Sequence, residues 1–313
     1  MRLIFCGTPQ FAVPTLEALI ARRFQIGLVV TNPDEPSGRS YELKPPPVKV
    51  AAEKAGLRVY QPKRLKDADT QAFISNHRPD AIVIVAYGHL IPPWMIDLPR
   101  LGCINLHASL LPKYRGAAPI AWALIRGERV TGVTTMKIDT GLDTGDMLLR
   151  RETEIRDDDT TETLSGRLSA IGAELMVETL ERLERGGIVP QPQDHAQATL
   201  APRLKKEDGR IDWALAAEDI ARRVRGLQPW PGAYTTLRGK NLRLWAAAAT
   251  AKSPPTSEPG TVLVSGDKLL VACGQETTLE IRELQLEGRK RMSARDFLNG
   301  VHVKEQERFG SAA

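Results

Sequence analysis

Leu3-Ile4-Phe5-Cys6-Gly7-Thr8-Pro9-Gln10-Phe11-Ala12-Val13 begins with an apolar run, stops at a turn, and passes into Val13, Leu16, Leu19 and Ile20 at helical spacing. It reads as strand, turn, helix, and the text that follows repeats the unit. Gln25–Thr31 is a second strand, followed by a long Pro-rich loop, a helix near Val48–Ala55 and a short run at Val59-Tyr60. A helix around Ala72–Asn76 then precedes continuous apolar strands at Ala81–Ala86 and Cys103–Leu106. Strands that are apolar on both faces and alternate with helices form a mostly parallel sheet covered on both sides, which predicts a doubly wound, Rossmann-like α/β domain. Ligands of such sheets bind outside the carboxyl ends of the strands. That rule singles out Gly7–Pro9, Tyr87–Ile91 and Asn105–Ser109. The first turn lacks G-x-G-x-x-G, so a dinucleotide cofactor is set aside.

Past Gly127 the pattern changes to β-branched runs at Val130–Thr135 and Met147–Leu149, then to a long helix from Thr161 to Arg185 that stops at Gly186-Gly187. The first domain is expected over residues 1–187. Residues 188–205 carry Pro and Gln without periodicity and read as a linker. The second domain is expected over 206–313, with a helix over Trp213–Arg225 capped by Asp212 and closed by Gly226. Short strands at Ala233–Leu237, Leu242–Trp245, Thr261–Ser265, Lys268–Ala272 and Thr278–Leu284 then suggest a smaller β-barrel.

Composition is that of an ordinary globular chain, 313 residues with 42% hydrophobic and 26% charged. Three scattered cysteines, Cys6, Cys103 and Cys273, argue against a disulfide framework and for a reducing compartment, the cytoplasm by default. The apolar stretch after Arg2 is interrupted by Gly7, Pro9 and Pro14, a poor fit to a secretory leader. No run approaches a membrane span. Residues 1–200 hold 24 Lys+Arg against 24 Asp+Glu, whereas 201–313 hold 19 against 14, so the whole formal excess of +5 lies in the last third. Such an excess is compatible with a solvated surface or with an anionic macromolecular partner.

Two clusters could carry chemistry. In Asn105-Leu106-His107-Ala108-Ser109-Leu110-Leu111-Pro112, residues two apart on a strand project from one face, so Asn105 and His107 enter one crevice together. Two neutral donors aimed at one point can stabilise a developing oxyanion. A strand-end histidine with satisfied nitrogens and an Asn that caps the next turn would leave the same text. The second cluster, Asp139-Thr140-Gly141-Leu142-Asp143-Thr144-Gly145-Asp146, has three carboxylates but lacks the spacing and terminal Glu of a calcium loop. It reads equally as a solvated turn. The five histidines, His77, His89, His107, His195 and His302, form no zinc spacing. No nucleophile elbow surrounds Ser109 and no phosphate-binding loop is present. No metal is expected.

Together the clusters resemble the folate-dependent formyltransferases, whose Asn-x-His is followed by Ser-Leu-Leu-Pro and, further along, by a catalytic Asp in a Gly-rich loop. Here those residues are Asn105, His107, Ser109–Pro112 and Asp143. The likeness is greatest to the tRNA-formylating branch and covers nearly the whole chain. It extends through Phe5-Cys6-Gly7-Thr8-Pro9, Pro33-Asp34, Gly38-Arg39, Pro46-Pro47-Val48-Lys49, Ala86-Tyr87-Gly88 and Tyr114-Arg115-Gly116-Ala117-Ala118-Pro119-Ile120. In the second domain it continues with Ile211-Asp212-Trp213, Pro229-Trp230-Pro231-Gly232 and Met292-Ser293-Ala294.

The resemblance implies 10-formyltetrahydrofolate as formyl donor, initiator methionyl-tRNA as acceptor, an OB-like second domain that helps hold the tRNA, and a monomer that binds no membrane. It also implies a catalytic Asn105, His107 and Asp143, with folate against Ser109, Leu110, Leu111 and Pro112 and near Tyr87, Gly88 and Leu90. Asp143 would orient His107 or relay a proton through water, and both roles are open at this stage. The basic residues available to tRNA are Arg39, Arg203, Lys205, Lys206, Arg210, Arg222, Arg223 and Arg225, of which Arg222 and Arg225 share a helix face. One departure stands out. The family's Gly-Arg loop usually continues with two lysines, and here it reads Ser40-Tyr41-Glu42. Rival readings are a formyltransferase for a sugar nucleotide or a purine ribonucleotide, a folate hydrolase, and a nucleic-acid-binding module whose catalytic domain is retired. The basic second domain favours tRNA over the small amines, and the intact Asn105, His107 and Asp143 argue against retirement.

Overall fold

The computed structural model describes residues 1–37, 42–250, 257–303 and 307–310. The chain divides into two compact units, the first made of Met1–Pro119, Val130–Glu154 and Ser165–Pro202, the second of Ile120–Arg129, Ile155–Leu164 and Arg203–Ala313.

The first unit is built on a seven-stranded sheet. In chain order its strands are β1 (Arg2–Gly7), β2 (Gln25–Val30), β5 (Val59–Tyr60), β6 (Ala81–Val85), β7 (Cys103–His107), β8 (Val130–Lys137) and β9 (Met147–Glu154), while β3 (Glu35–Ser37) and β4 (Glu42–Lys44) form a separate hairpin. The spatial order is β5-β2-β1-β6-β7-β8-β9, with β5 to β7 parallel and β8 and β9 antiparallel at one edge. Helices α1 (Val13–Ala21), α2 (Pro47–Lys54), α3 (Ala68–Ser75) and α4 (Pro93–Ile96) connect the parallel strands. The doubly wound sheet expected from the alternation is therefore present, and its chain order reverses direction between β1 and β6.

Every residue of β6 is buried, as a central strand covered on both faces requires. On one face Ile4, Cys6, Leu28, Val30, Ile82 and Ile84 pack with Ile74 of α3 and Met95 of α4. Burying each such aliphatic side chain contributes about 1.5–3 kcal/mol, which outweighs the weak preference of short helices such as α4 for the coil. Helix α6 (Thr161–Glu184) supplies cover elsewhere in the unit. Its Ser169 Oγ donates to the Phe11 carbonyl at 2.7 Å, and Thr179 and Thr135 share a hydroxyl hydrogen bond of 2.8 Å. Gly172 lets the helix approach Leu106, since a Cβ there would lie 2.5 Å from Leu106 Cδ2.

Residues 188–202, which read as a linker, run along this unit instead. Gln191 exchanges two backbone hydrogen bonds with Met147, of 2.8 and 2.9 Å, and Arg115 donates to Thr199 O at 2.8 Å and accepts from Ala201 at 2.7 Å. The pairing is too short and irregular to leave a periodic signature.

The second unit holds an antiparallel sheet in the order β10 (Ala233–Leu237), β11 (Lys240–Thr250), β14 (Thr277–Leu286), β13 (Lys268–Cys273), β12 (Val262–Ser265), with β15 (Met292–Ser293) beside β14. Helices α5 (Pro119–Ile125), α7 (Ala217–Gly226) and α8 (Ala294–Val301) accompany it. Helix α7 starts four residues later than the sequence suggests. Asp212 caps a turn by accepting from Ala214 N (3.0 Å), and the first amide of the helix, Ala217 N, donates to Thr277 Oγ1 of β14 (2.8 Å). Trp213, taken for a helical residue, is buried against Phe309 and donates from Nε1 to Thr235 Oγ1 at 3.2 Å. Ser293 caps α8 by accepting from Asp296 N. No helix among the described residues is long and apolar enough to cross a membrane.

Candidate active site

Strands β1, β6 and β7 end side by side, Gly7 opposite Val85 and Ile84 opposite Asn105. Their carboxyl ends carry Thr8, Ala86–Gly88 and His107. Thr8 Oγ1 donates to Tyr87 O at 3.4 Å, tying two of these loops together. This is the edge at which a doubly wound sheet presents its ligand site.

His107 is buried and hydrogen-bonded on one side. Its Nε2 lies 2.9 Å from the Tyr114 carbonyl. A carbonyl only accepts, so Nε2 carries the proton and a neutral ring keeps its lone pair on Nδ1. That Nδ1 faces Asp143 Oδ2 at 3.7 Å, beyond hydrogen-bond reach but within ion-pair range once the ring is charged. The histidine therefore does not present a free N–H, as a pair of oxyanion donors would require. Asn105, two residues back on the same face, is half-buried, and its side chain makes no hydrogen bond to the described residues, so its amide is the available donor.

The Asp139–Asp146 loop sorts its three carboxylates. Asp139 closes the loop on itself, accepting from Gly141 N at 3.0 Å and from Thr144 Oγ1 at 2.7 and 2.9 Å. Asp146 lies at the return into β9, its carbonyl accepting from Lys137 N at 2.9 Å. Asp143 alone reaches His107, and its Oδ2 also accepts from Gly116 N at 2.8 Å. The backbone at Asp143 is left-handed, φ 51°, a conformation that short polar side chains tolerate better than most. Gly145 allows the loop to fold back, because a Cβ there would lie 1.9 Å from the Lys137 carbonyl. Among the described residues no group of three or more His, Cys, Asp or Glu side chains is placed to hold a metal ion.

Ser109 to Pro112 form the expected turn. Ser109 Oγ donates to Lys113 O at 2.6 Å, while Thr134 Oγ1 donates to Ser109 O at 2.7 Å and accepts from Leu111 N at 3.2 Å. Leu111 is fully buried with Met136 and Met147, so its side chain packs the turn from beneath, whereas Leu110 and Pro112 are half-buried. Tyr87 is buried, which pushes its phenol well above the ordinary value. Gly88 adopts φ 84°, and Leu90 projects with 89% of its surface exposed.

The sequence did not single out Arg115 or Gln193 for a role. Arg115 is buried, donating from Nε and Nη2 to Gln193 Oε1 at 3.0 and 2.7 Å and touching His195 Nδ1 at 3.2 Å. Gln193 Nε2 donates to Asp143 O at 2.9 Å and to Gly145 O at 2.8 Å. Arg115 stood in a recognisable motif, but no local pattern marks Gln193.

The basic residues separate into two groups within the second unit. Arg203, Lys205, Lys206 and Arg210 are exposed, and none of their side-chain charges is paired with a carboxylate among the described residues, although Lys205 N donates to Asp208 Oδ2 at 2.6 Å. Arg222 is bound to Glu218 at 3.0 Å and Asp219 at 3.4 Å. Arg225 donates to the Asp159 and Arg156 carbonyls at 3.0 and 3.4 Å, and burial pulls its guanidinium below the ordinary value. Arg223 is half-buried, and Arg39 lies outside the described residues.

The formyl transferase family pattern matches residues 1–180, and the pattern of the formyl transferase C-terminal domain matches residues 203–302. The methionyl-tRNA formyltransferase of Koribacter versatilis is 55% identical over 311 residues, 99% of each chain. That of Acidobacterium capsulatum is 56% identical over 312 residues, 99% of this chain and all of its own. The chain belongs to the methionyl-tRNA formyltransferase family. Distant solved structures share the fold. An N-formyltransferase from Helicobacter canadensis, in complex with folinic acid and dTDP-3-aminofucose, aligns with a TM-score of 0.67 at 15% identity over 89% of this chain and 98% of its own. HypX from Aquifex aeolicus aligns with a TM-score of 0.64 at 19% identity over 96% of this chain, which spans about half of HypX (49%). Residues 181–202, which include Gln193, fall between the two matched formyl transferase domains.

Proposed function

We infer that the protein transfers the formyl group of 10-formyltetrahydrofolate to the α-amine of initiator methionyl-tRNA in the cytoplasm, producing formylmethionyl-tRNA and tetrahydrofolate. The observation that carries this reading is the approach of His107 Nδ1 to Asp143 Oδ2, 3.7 Å apart at the carboxyl end of β7, with Asn105 two residues back on the same strand. Family membership and relatives named for this reaction support the choice of acceptor.

The chemistry follows from the atoms left open. The amine nitrogen attacks the formyl carbon and the carbonyl oxygen takes up negative charge. The Asn105 amide donates to that oxygen. The nitrogen must then lose a proton, for which His107 Nδ1 has the lone pair, since Nε2 is held protonated by the Tyr114 carbonyl. The imidazolium so formed faces the Asp143 carboxylate. When the tetrahedral intermediate collapses, the bond from carbon to N10 breaks and N10 receives the proton, directly or through water. Arg203, Lys205, Lys206 and Arg210 offer cations to the tRNA backbone, and the turn at Ser109–Pro112 with the Tyr87–Leu90 loop would form the folate side.

The test is to supply 10-formyltetrahydrofolate with methionyl-tRNA, amino sugar nucleotides, a purine ribonucleotide amine or water alone, and to identify the formylated product. Formylmethionyl-tRNA is expected; formylation of a small amine, or formate released at the same rate without acceptor, would overturn the reading. Asp143→Asn should retain folate binding while turnover falls by about 100-fold or more. Unchanged turnover would remove Asp143 from the centre.

A further inference from the structure

We propose that Gln193 is a positioning residue for Asp143, and that Arg115 fixes the orientation in which it acts. The proposal rests on the reading of Asp143 as part of the catalytic centre and assigns a role to a residue outside both matched family domains.

The argument is one of hydrogen-bond polarity. The Gln193 side chain is enclosed, the residue being 5% exposed, so its amide must find protein partners. Guanidinium nitrogens only donate, and two of them, Nε and Nη2 of Arg115, point at one atom of Gln193. That atom must be the amide oxygen. The NH2 group is thereby turned towards the loop, where two carbonyls, those of Asp143 and Gly145, take its two hydrogens. All four bonding directions of the amide are used, and reversing it would break all of them.

Arg115 is held in turn. His195 Nδ1 accepts from the guanidinium at 3.2 Å, and the backbone at Arg115 is bridged to Leu200. On the other side, Gly116 N holds the Asp143 carboxylate itself at 2.8 Å. A Cβ on Gly116 would lie 2.6 Å from the Ala201 carbonyl, so the stretch that carries Gln193 also runs close beside the residue whose amide holds the carboxylate. Asp143 is thus clamped by its backbone through Gln193 and by its side chain through Gly116. Its left-handed φ of 51° is a conformation that outside contacts must hold.

Gln193→Glu separates the two halves of the clamp. The size is unchanged and the bond to Arg115 survives, but a carboxylate oxygen now faces the Asp143 and Gly145 carbonyls and repels them. In single-turnover formyl transfer with the full chain, kcat should fall by up to about 100-fold, the scale of a small misplacement of a catalytic group. KM for both substrates should change little. In an Asp143→Asn background the same substitution should add no further loss, because it acts through Asp143. A residue that merely supports the fold would lower the melting temperature and leave this non-additivity absent. Should Gln193→Glu fail to fold, Gln193→Asn, which keeps both amide functions but is one methylene short, carries the same expectation. Full kcat in the folded Gln193 variant beside an impaired Asp143→Asn would overturn the proposal alone, as would fully additive losses in the double variant. Full turnover in Asp143→Asn would overturn the underlying reading and the proposal with it.

Discussion

The crevice at the end of β7 and the helix α7 both collect polar side chains, and both bind them to their neighbours, yet with opposite results. At the crevice, Tyr114 O fixes His107 at Nε2 and so turns Nδ1 towards Asp143, whose Oδ2 is itself held in place by Gly116 N. Along α7, Arg222 and Arg225 have their donors engaged by Glu218, Asp219 and the carbonyls of Arg156 and Asp159. Binding in the first case prepares a site; in the second it ties the charge to the helix's own surroundings. The difference lies in what each group is bound to: a neutral carbonyl holds His107 at Nε2 and leaves Nδ1 open, whereas the charge of Arg222 is already met by two carboxylates of its own helix.

The sharpest way to break this contrast is at Asn105, whose side chain makes no hydrogen bond to the described residues. Asn105→Ala should lower turnover by about 100- to 1000-fold, the usual loss of one oxyanion donor, with substrate affinities close to those of the parent. Single-turnover rates measured beside folate binding check it, and a loss confined to folate affinity would show that the amide binds donor rather than stabilising charge.

A smaller effect separates the two groups of cations. Replacing Arg203, Lys205, Lys206 and Arg210 by Ala should weaken methionyl-tRNA binding and lessen the dependence of log affinity on log salt by roughly one for each phosphate contact removed. Arg222→Ala in the same titration should leave the salt slope unchanged. If the result is reversed, ion pairs within α7 open on binding and the contrast drawn here fails.

The smallest effect concerns stability. Arg225→Ala removes donors from the Asp159 and Arg156 carbonyls and should lower unfolding free energy by about 1 kcal/mol, seen in chemical denaturation, with tRNA affinity unaltered. The cost is modest because the site is partly open to water, which can replace the lost donors.

Several strand boundaries match the reading of the sequence closely. Ala233–Leu237 agrees at both ends, and Ala81–Ala86 differs from β6 by one residue. These segments carry their own signal, continuous apolar residues between turn formers, so local text suffices. Helix α7 does not. Asp212 looks like a cap for Trp213 onward, but Thr277, 60 residues away, supplies the first amide partner, and Trp213 is drawn into the core beside Phe309. Residues 188–205 read as a linker for a related reason: the order within 188–202 comes from pairing with Arg115 and Met147, and pairing with distant chain leaves no period behind.

By itself, the sequence indicated the doubly wound sheet and a second, strand-rich domain, because apolar periodicity is a local property of the chain, while Asn105, His107 and Asp143 were singled out by their likeness to family motifs. Only the tertiary structure decided which nitrogen of His107 is left open, which of three carboxylates in one loop meets it, which arginines are already engaged, and that Gln193 reaches the loop at all. Each of those depends on a hydrogen bond between residues distant in sequence, and the direction of such a bond is set by what the fold places opposite each donor and acceptor.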